Sequence, residues 1–121
     1  MEIRLLTLAA LAAAIATPAA AADSNHGKQL FQACAACHGA EGKGGTLGPN
    51  LVGVVGRKAG SLDDFRYSNA MKRSDLVWND ANLRDYVSNP QGKIKGNRMP
   101  FSGVGSPSDA DDIVAYLKTL K

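Results

Sequence analysis

Apolar residues recur at helical spacing near the end of the chain and predict a terminal helix. Its apolar stripe consists of Ile113, Tyr116, Leu117 and Leu120. Ser106 suits the N-cap, Pro107 suits the first helical position, and Asp109 stands where the acid of a capping box belongs. Because one face of this helix is apolar along its length, we expect that face to be buried against another part of the chain.

A second helix is predicted near the other end of the chain, over residues 25–36. Leu30, Phe31 and Cys34 lie on one side of it. Gly27 and Phe31 are one turn apart, and a glycine at such a position lets two helix backbones approach closely. We therefore expect the first and last helices to pack together, although the last helix could also pack on some other surface.

The segment between these helices contains long loops and two shorter helices. Residues 39–60 are rich in glycine and lack a periodic pattern, and residues 91–105 are also expected to form a loop. Residues 69–73 can form a short helix, and residues 80–88 can form a longer one that ends before Pro90. The pattern therefore predicts an all-α domain of about four to five helices. Loops this long in a small domain are usually functional.

The first 22 residues have the layout of a secretory signal peptide. Arg4 precedes an apolar run that Pro18 interrupts, and the alanines at 20–22 offer an A-x-A cleavage site. The run is far shorter than the roughly 20 residues of a membrane-spanning helix. An uncleaved amphipathic helix is disfavoured because the segment has no polar face. We expect residues 1–22 to be removed and residues 23–121 to form one exported domain in the bacterial periplasm, without stable membrane insertion.

Composition and charge limit the classes of partner. The chain has 14 Lys and Arg residues against 11 Asp and Glu residues, a formal net charge of +3, and 6% aromatic residues. This charge is too small, and the aromatic residues are too scattered, to indicate nucleic-acid binding. A domain this small often depends on a bound group or a cross-link for stability.

The sequence CAACH, from Cys34 to His38, carries the candidate chemistry. A zinc site needs three or four ligands, and the chain has two cysteines and two histidines without a second ligand cluster. A thiol–disulfide centre usually opens a helix after a strand, whereas this motif closes a predicted helix. A structural disulfide between Cys34 and Cys37 would close a very small loop and stabilise little.

The third interpretation of CAACH is covalent haem, because C-x-x-C-H is the attachment sequence for c-type haem. Residues three and four apart lie on one face of a helical turn. Cys34 and Cys37 can therefore reach the two vinyl groups on one edge of the porphyrin, and His38 then directs its imidazole at the iron. Export of the chain agrees with this interpretation, which we favour.

A low-spin electron carrier needs a second axial ligand. After the leader the chain has two methionines, Met71 and Met99. Met99 lies in NRMPF, in a loop that can fold over the opposite haem face, whereas Met71 is more easily explained as core packing. His26, the candidate for a bis-histidine site, is expected to face solvent at a frayed helix start. We therefore predict His38 and Met99 as the metal ligands.

A series of short motifs accompanies CAACH along the chain. They are GPNL at 48–51, GRKAG at 56–60, FRYSNAM at 65–71, Trp78, LRDYVSNP at 83–90, RMPF at 98–101 and DDIVAYL at 111–117. In this order and at this spacing, residues 27–120 resemble the class I cytochrome c family, both its mitochondrial type and its short bacterial periplasmic members. The resemblance implies the small cytochrome c fold, with long loops wrapped around a covalently attached haem.

The resemblance assigns roles to residues that contact His38 and the buried haem propionate. The Pro49 carbonyl would accept the ring N–H of His38 and fix its tautomer. Arg57, Tyr67 and Trp78 would hydrogen-bond or pair with the buried haem propionate. Taken alone, Trp78 could be an ordinary core aromatic residue and Arg57 a solvated loop charge.

Further roles are implied on the Met99 side. Tyr86 would line the cavity near the Met99 sulfur, Asn97 would stand near the inner propionate, and Phe101 would cover the exposed haem edge. Tyr86 alone could also be a core residue. Met71 stands where the mitochondrial proteins commonly have asparagine. The resemblance therefore does not determine the hydrogen-bond network around the haem.

The resemblance implies a soluble, monomeric one-electron carrier rather than an enzyme. It would meet transient redox partners, such as a reductase and an oxidase, a photosynthetic complex or periplasmic dehydrogenases. Four cations are expected around the haem edge: Lys43, Lys93, Lys95 and Arg98. The acids of the last helix, Asp109, Asp111 and Asp112, are expected behind it. Two alternatives stay open: a haem enzyme or dehydrogenase subunit with Met99 unbound, and a thiol module without haem.

Overall fold

A computed structural model describes residues 8–15 and 21–121 and confirms an all-α fold. The helices in these residues are α1 (Ser24–Leu30), α2 (Gln32–His38), α3 (Asn69–Lys72), α4 (Asp80–Ser88), α5 (Pro90–Lys93) and α6 (Pro107–Leu117). Within the same ranges, β structure is limited to one isolated antiparallel bridge between Lys58 and Val77. The domain therefore consists of helices joined by long loops, with more helices than the sequence pattern predicts.

The predicted leader lies partly outside the described residues, which omit 1–7 and 16–20. Residues 8–15 form no regular element, and Leu8, Leu11 and Ile15 are exposed. In the part of the chain that the structure describes, we find no helix with the length and apolar character needed to cross a membrane. The boundary between leader and domain stays a prediction.

The helix predicted over residues 25–36 is two helices. Phe31 separates α1 from α2 but keeps a helical conformation, with φ −62° and ψ −17°. Its carbonyl oxygen accepts from the backbone N–H groups of both Cys34 and Ala35, at 2.8 and 2.9 Å. The hydrogen-bond register therefore tightens at this point. As a result, CAACH occupies a short helix of its own, which ends at His38.

The first and last helices pack against each other, as predicted. Gly27 of α1 is buried, and a Cβ atom built on it would lie 1.9 Å from the backbone oxygen of Asp112 in α6. One turn further on, the rings of Phe31 and Tyr116 have centroids 5.1 Å apart. The missing side chain at Gly27 therefore sets the distance between the two helices.

The α6 helix begins and packs as its sequence predicts. The Ser106 side chain caps the helix and accepts from the backbone N–H of Asp109 at 3.4 Å. All four residues of the predicted stripe are buried in the core: Ile113, Tyr116, Leu117 and Leu120. The same core contains Trp78 and Tyr86, so α6 supports the part of the chain that carries the candidate site.

Two predicted loops contain short helical elements, and the loop predictions are wrong there. In residues 91–105 the helix α5 begins at Pro90, because proline suits a first helical position and Asn89 caps the helix by accepting from the Gly92 N–H at 3.0 Å. In residues 39–60, Ala40–Gly42 forms a 3₁₀ turn. The α5 helix begins two residues after the end of α4, and the 3₁₀ turn begins two residues after the end of α2.

His26 corrects another expectation, because it is tied to the last helix and not simply facing solvent. Its Nδ1 atom lies 2.7 Å from Oδ2 of Asp112 and 4.0 Å from Oδ1 of Asp109. The other Asp112 oxygen accepts from the backbone N–H of Asp23 at 2.7 Å. Asp112 therefore links the start of α1 to α6 at the surface.

This link makes stability depend on pH. The hydrogen bond to Asp112 raises the pKa of His26 above its ordinary value of 6.5. Hydrogen bonds from Asp23 and then from His26 lower the pKa of Asp112 below its ordinary value of 3.8. The His26 contribution is complete below pH 6.5 and is lost as pH rises through its folded pKa. The Asp112 contribution is complete above pH 3.8 and is lost as pH falls through its folded pKa.

We therefore expect His26→Gln to lower the unfolding midpoint most between about pH 4 and pH 6.5. The difference from the unsubstituted protein should shrink on both sides of this window. Chemical unfolding of both proteins at a series of pH values below, within and above this window measures the difference between their midpoints. A difference of equal size at every pH would contradict the assignment.

Candidate functional site

A cavity of about 470 Å³ lies between α2, α4, α6 and the loops that join them. This volume falls within the range of roughly 300–1,000 Å³ that is typical of ligand and cofactor sites. Most of the site residues that the sequence predicts line it: Cys34, Cys37, His38, Pro49, Arg57, Tyr67, Trp78, Tyr86, Met99 and Phe101. The fold thus brings residues from both ends of the domain to one site.

The α2 helix supplies the two thiols. Cys34 and Cys37 are free and half-buried, one helical turn apart. Burial raises the pKa of the Cys34 thiol, and the nearby Cys37 raises it further. Both cysteines line the cavity wall one helical turn apart, in the arrangement that covalent attachment to one edge of a bound ring requires.

His38 is held in one orientation at the end of α2. Its Nδ1 atom lies 2.9 Å from the carbonyl oxygen of Pro49, and a carbonyl oxygen can only accept. Nδ1 is therefore the protonated nitrogen, which leaves the lone pair of Nε2 for a metal. Burial lowers the pKa of His38, which also favours the neutral imidazole. Gly48 leaves room for the His38 ring in this orientation, because a Cβ atom at Gly48 would lie 3.0 Å from Nδ1.

Met99 and Tyr86 meet at another part of the cavity. The Tyr86 hydroxyl donates to the Met99 sulfur at 3.8 Å. Burial raises the pKa of Tyr86 to about 12, so the phenol remains a donor at neutral pH. The ring of Tyr86 packs against that of Trp78 at a centroid distance of 5.0 Å. This packing fixes the direction of the hydroxyl group.

Three arginines line the cavity: Arg57, Arg66 and Arg98. The guanidinium of Arg57 donates to the backbone oxygens of Asn50 and Val52, at 2.6 and 2.7 Å. Beside it, Tyr67 is half-buried, which raises the pKa of its hydroxyl. This side of the cavity therefore offers positive charge and hydrogen-bond donors, which suit a carboxylate.

The structure also gives positions for three other residues that were considered as haem contacts or ligands. Asn97 is buried but does not line the cavity, and its side-chain amide bonds to backbone groups. Met71 packs against the core, as expected, and also lines the cavity. His26 does not line the cavity. The side chain of Leu47 lines the cavity while 72% exposed, and no sequence pattern marked it.

The lining residues fit a c-type haem in their donor chemistry. Two thiols three residues apart, a neutral imidazole with Nε2 available, a thioether and a guanidinium face one largely apolar space. A family model described as "Cytochrome c" matches residues 24–121. The chain belongs to the cytochrome c family. Haem c, which cytochromes c bind covalently, is therefore the cofactor, and Cys34 and Cys37 are the cysteines of its attachment motif.

Several named cytochromes are similar to the chain over most of its length. Cytochrome c2 of Agrobacterium tumefaciens (strain II Chrys) is 43% identical over 99 residues, which cover 78% of this chain and 89% of the relative. Cytochrome c of Euglena viridis is 40% identical over 100 residues, 82% of this chain and 98% of the relative. The structure of cytochrome cH from Methylobacterium extorquens superposes with a TM-score of 0.75 at 44% identity, covering 80% of this chain and 98% of that one. Electron transport is thus the function of this cytochrome c.

Proposed function

We propose that the protein is a soluble one-electron carrier with six-coordinate haem c, acting between larger redox complexes in the periplasm. When bound, the haem supplies an iron centre that gains or loses one electron. The predicted leader over residues 1–22 supports export, and the family supports electron transfer. Residues 23–121 form the working domain in this proposal.

The observation that carries the proposal is that His38 and Met99 line one cavity, with the His38 ring oriented by a hydrogen bond at Nδ1 and the Met99 sulfur contacted by a hydroxyl group. The Pro49 carbonyl orients the imidazole, and the Tyr86 hydroxyl contacts the sulfur. The two residues would fill both axial positions. A thioether opposite an imidazole raises the reduction potential relative to harder ligands.

Closed coordination supports an electron carrier rather than an enzyme. With both axial positions filled by protein atoms, no position is left for peroxide or oxygen. Tyr86, whose hydroxyl contacts the sulfur, is buried, which would limit the access of water to the ligand. A haem enzyme, or the haem subunit of a dehydrogenase that binds a small molecule, would need Met99 to leave the iron.

The surface charges support weak, transient contacts with partners. Of the cations expected around the haem edge, Lys43 lies 3.6 Å from Glu41 and Lys93 lies 3.1 Å from Asp85, so each has an acidic neighbour. Arg98 lines the cavity itself. Steering by these residues is therefore modest and should weaken as salt is added.

A potentiometric titration of the haem-loaded protein tests this proposal. We expect one reversible transition with a one-electron slope and no change in the haem attachment. Two transitions, a slope of two electrons, or a pyridine haemochrome assay without haem would contradict it. The last result would favour the thiol module without haem.

A further inference from the structure

Asn97 is a buried polar residue for which the proposed function provides no role. Its exposed fraction is 7%. Its Nδ2 atom donates to the carbonyl oxygens of Pro90 and Ile94, at 3.0 and 2.8 Å. Its Oδ1 atom accepts from the backbone N–H of Met99 at 2.9 Å. Both donor hydrogens and the acceptor are therefore used, so the surroundings are complementary to an asparagine.

The two carbonyl groups belong to a rigid part of the core. Pro90 begins α5, and the N–H of Ile94 bonds back to the Pro90 oxygen at 2.9 Å. Pro90 is among the largest fully buried side chains of the described residues, and Ile94 is 5% exposed. The Asn97 amide therefore connects the Met99 backbone to an anchor that solvent does not reach.

The Met99 backbone is also restrained on its other side. Pro100 follows it, and a residue before proline is confined to extended conformations. The bond from Met99 N–H to Asn97 Oδ1 closes an Asx turn two residues long. The side chain of Gln91 in α5 makes two hydrogen bonds to the same loop. Its Nε2 atom donates to the backbone carbonyl oxygen of Asn97 at 2.9 Å, and its Oε1 atom accepts from the Gly96 N–H at 3.2 Å.

We propose that Asn97 is a positioning residue for the Met99 thioether. Its side-chain amide fastens the Met99 backbone to Pro90 and Ile94, and the Tyr86 hydroxyl holds the sulfur at the other end. Together they keep the sulfur directed into the cavity. This inference rests on the proposed role of Met99 as a ligand. It replaces the expectation that Asn97 serves mainly as a contact to the inner propionate.

Different substitutions remove different parts of this arrangement. Asn97→Ala removes all three hydrogen bonds and leaves buried backbone groups without partners, which is costly. Asn97→Thr keeps a hydroxyl that can accept from the Met99 N–H, but it can donate only once. Asn97→Asp keeps the acceptor and places a negative charge against two carbonyl oxygens. We expect the fraction of protein with the Met99 sulfur bound to the iron to be highest with Asn at position 97, lower with Thr, and lowest with Ala or Asp.

The test uses haem-loaded protein in the reduced state and two readouts. The first is the rate of carbon monoxide binding, and the second is hydrogen exchange of the Met99 backbone amide. For Asn97→Ala we expect both to rise about tenfold, which corresponds to ~1.4 kcal/mol of lost hydrogen bonding. Asn97→Thr should fall between Asn97→Ala and the unsubstituted protein. If Asn97→Ala fails to accumulate with haem, Asn97→Thr carries the test.

Asn82→Ala is the matched control, because Asn82 also donates to a backbone oxygen, that of Val77 at 2.8 Å, whereas only Asn97 accepts from the Met99 N–H. A purely structural role for Asn97 would lower the unfolding midpoint while both readouts stayed at the level of Asn82→Ala. That result would overturn the inference and leave Met99 ligation intact. Ready carbon monoxide binding by the unsubstituted protein would overturn the proposed function and this inference together.

Discussion

Replacing Met99 with alanine is expected to open the sixth coordination position of the haem-loaded protein. The methyl group of alanine cannot reach the iron, and the Tyr86 hydroxyl loses the sulfur to which it donates. A binding-competent minor state is typically populated at ~0.1–10%. Carbon monoxide affinity in the reduced state should therefore rise about 10- to 1,000-fold when that state becomes the main one.

The control for this substitution is Met71→Leu. Met71 is the other methionine that lines the cavity, and it is half-buried in a similar way. Leucine keeps its volume without the sulfur, so the core should remain filled. We expect Met71→Leu to keep the sixth position closed. Spectra recorded during carbon monoxide titration distinguish the two variants directly.

Replacing Gly27 with alanine is expected to destabilise the fold by about 3 kcal/mol, the upper end of ordinary overpacking costs. In an isolated helix the same change would stabilise by roughly 1 kcal/mol. Here the new Cβ atom would lie 1.9 Å from the Asp112 oxygen and 2.6 Å from its carbonyl carbon. Both are backbone atoms, so α1 and α6 must move apart.

Gly105→Ala is the control for this second prediction. Gly105 is exposed, and a Cβ atom built there meets nothing within 4 Å. We expect Gly105→Ala to change the free energy of unfolding by no more than ~0.5 kcal/mol, as for most surface substitutions. Urea unfolding of both oxidised, haem-loaded variants provides the comparison. Equal stability of the two would mean that the helices adjust at Gly27 without cost, contrary to this account.

The elements that the sequence predicts best carry their own start and stop signals. The α4 helix was predicted as residues 80–88 and occupies Asp80–Ser88, because Asn79 caps it and Pro90 follows. The α6 helix begins after Ser106 for the same reason. The break at Phe31 has no such local signal. Phe31 is buried against Tyr116 of α6, a long-range contact that a pattern of single residues does not contain.

The residues of the candidate site that belong to short sequence motifs could be predicted from the sequence. CAACH and the spacing to Met99 indicate the cofactor and its ligands, whereas Pro49 and Tyr86 were expected from the family resemblance. Asn97 was expected near the inner propionate from the same resemblance, and α5 was not predicted. Without the carbonyl groups of that short helix, nothing in the sequence indicates where the amide points.

The central claim, closed coordination by His38 and Met99, is tested most directly by adding carbon monoxide to the reduced, haem-loaded protein without any substitution. We expect the spectrum to stay unchanged over minutes, because the Met99 sulfur would occupy the position that the gas needs. A rapid shift to a carbon monoxide spectrum would contradict it. The cavity would then belong to a haem protein with an open iron position.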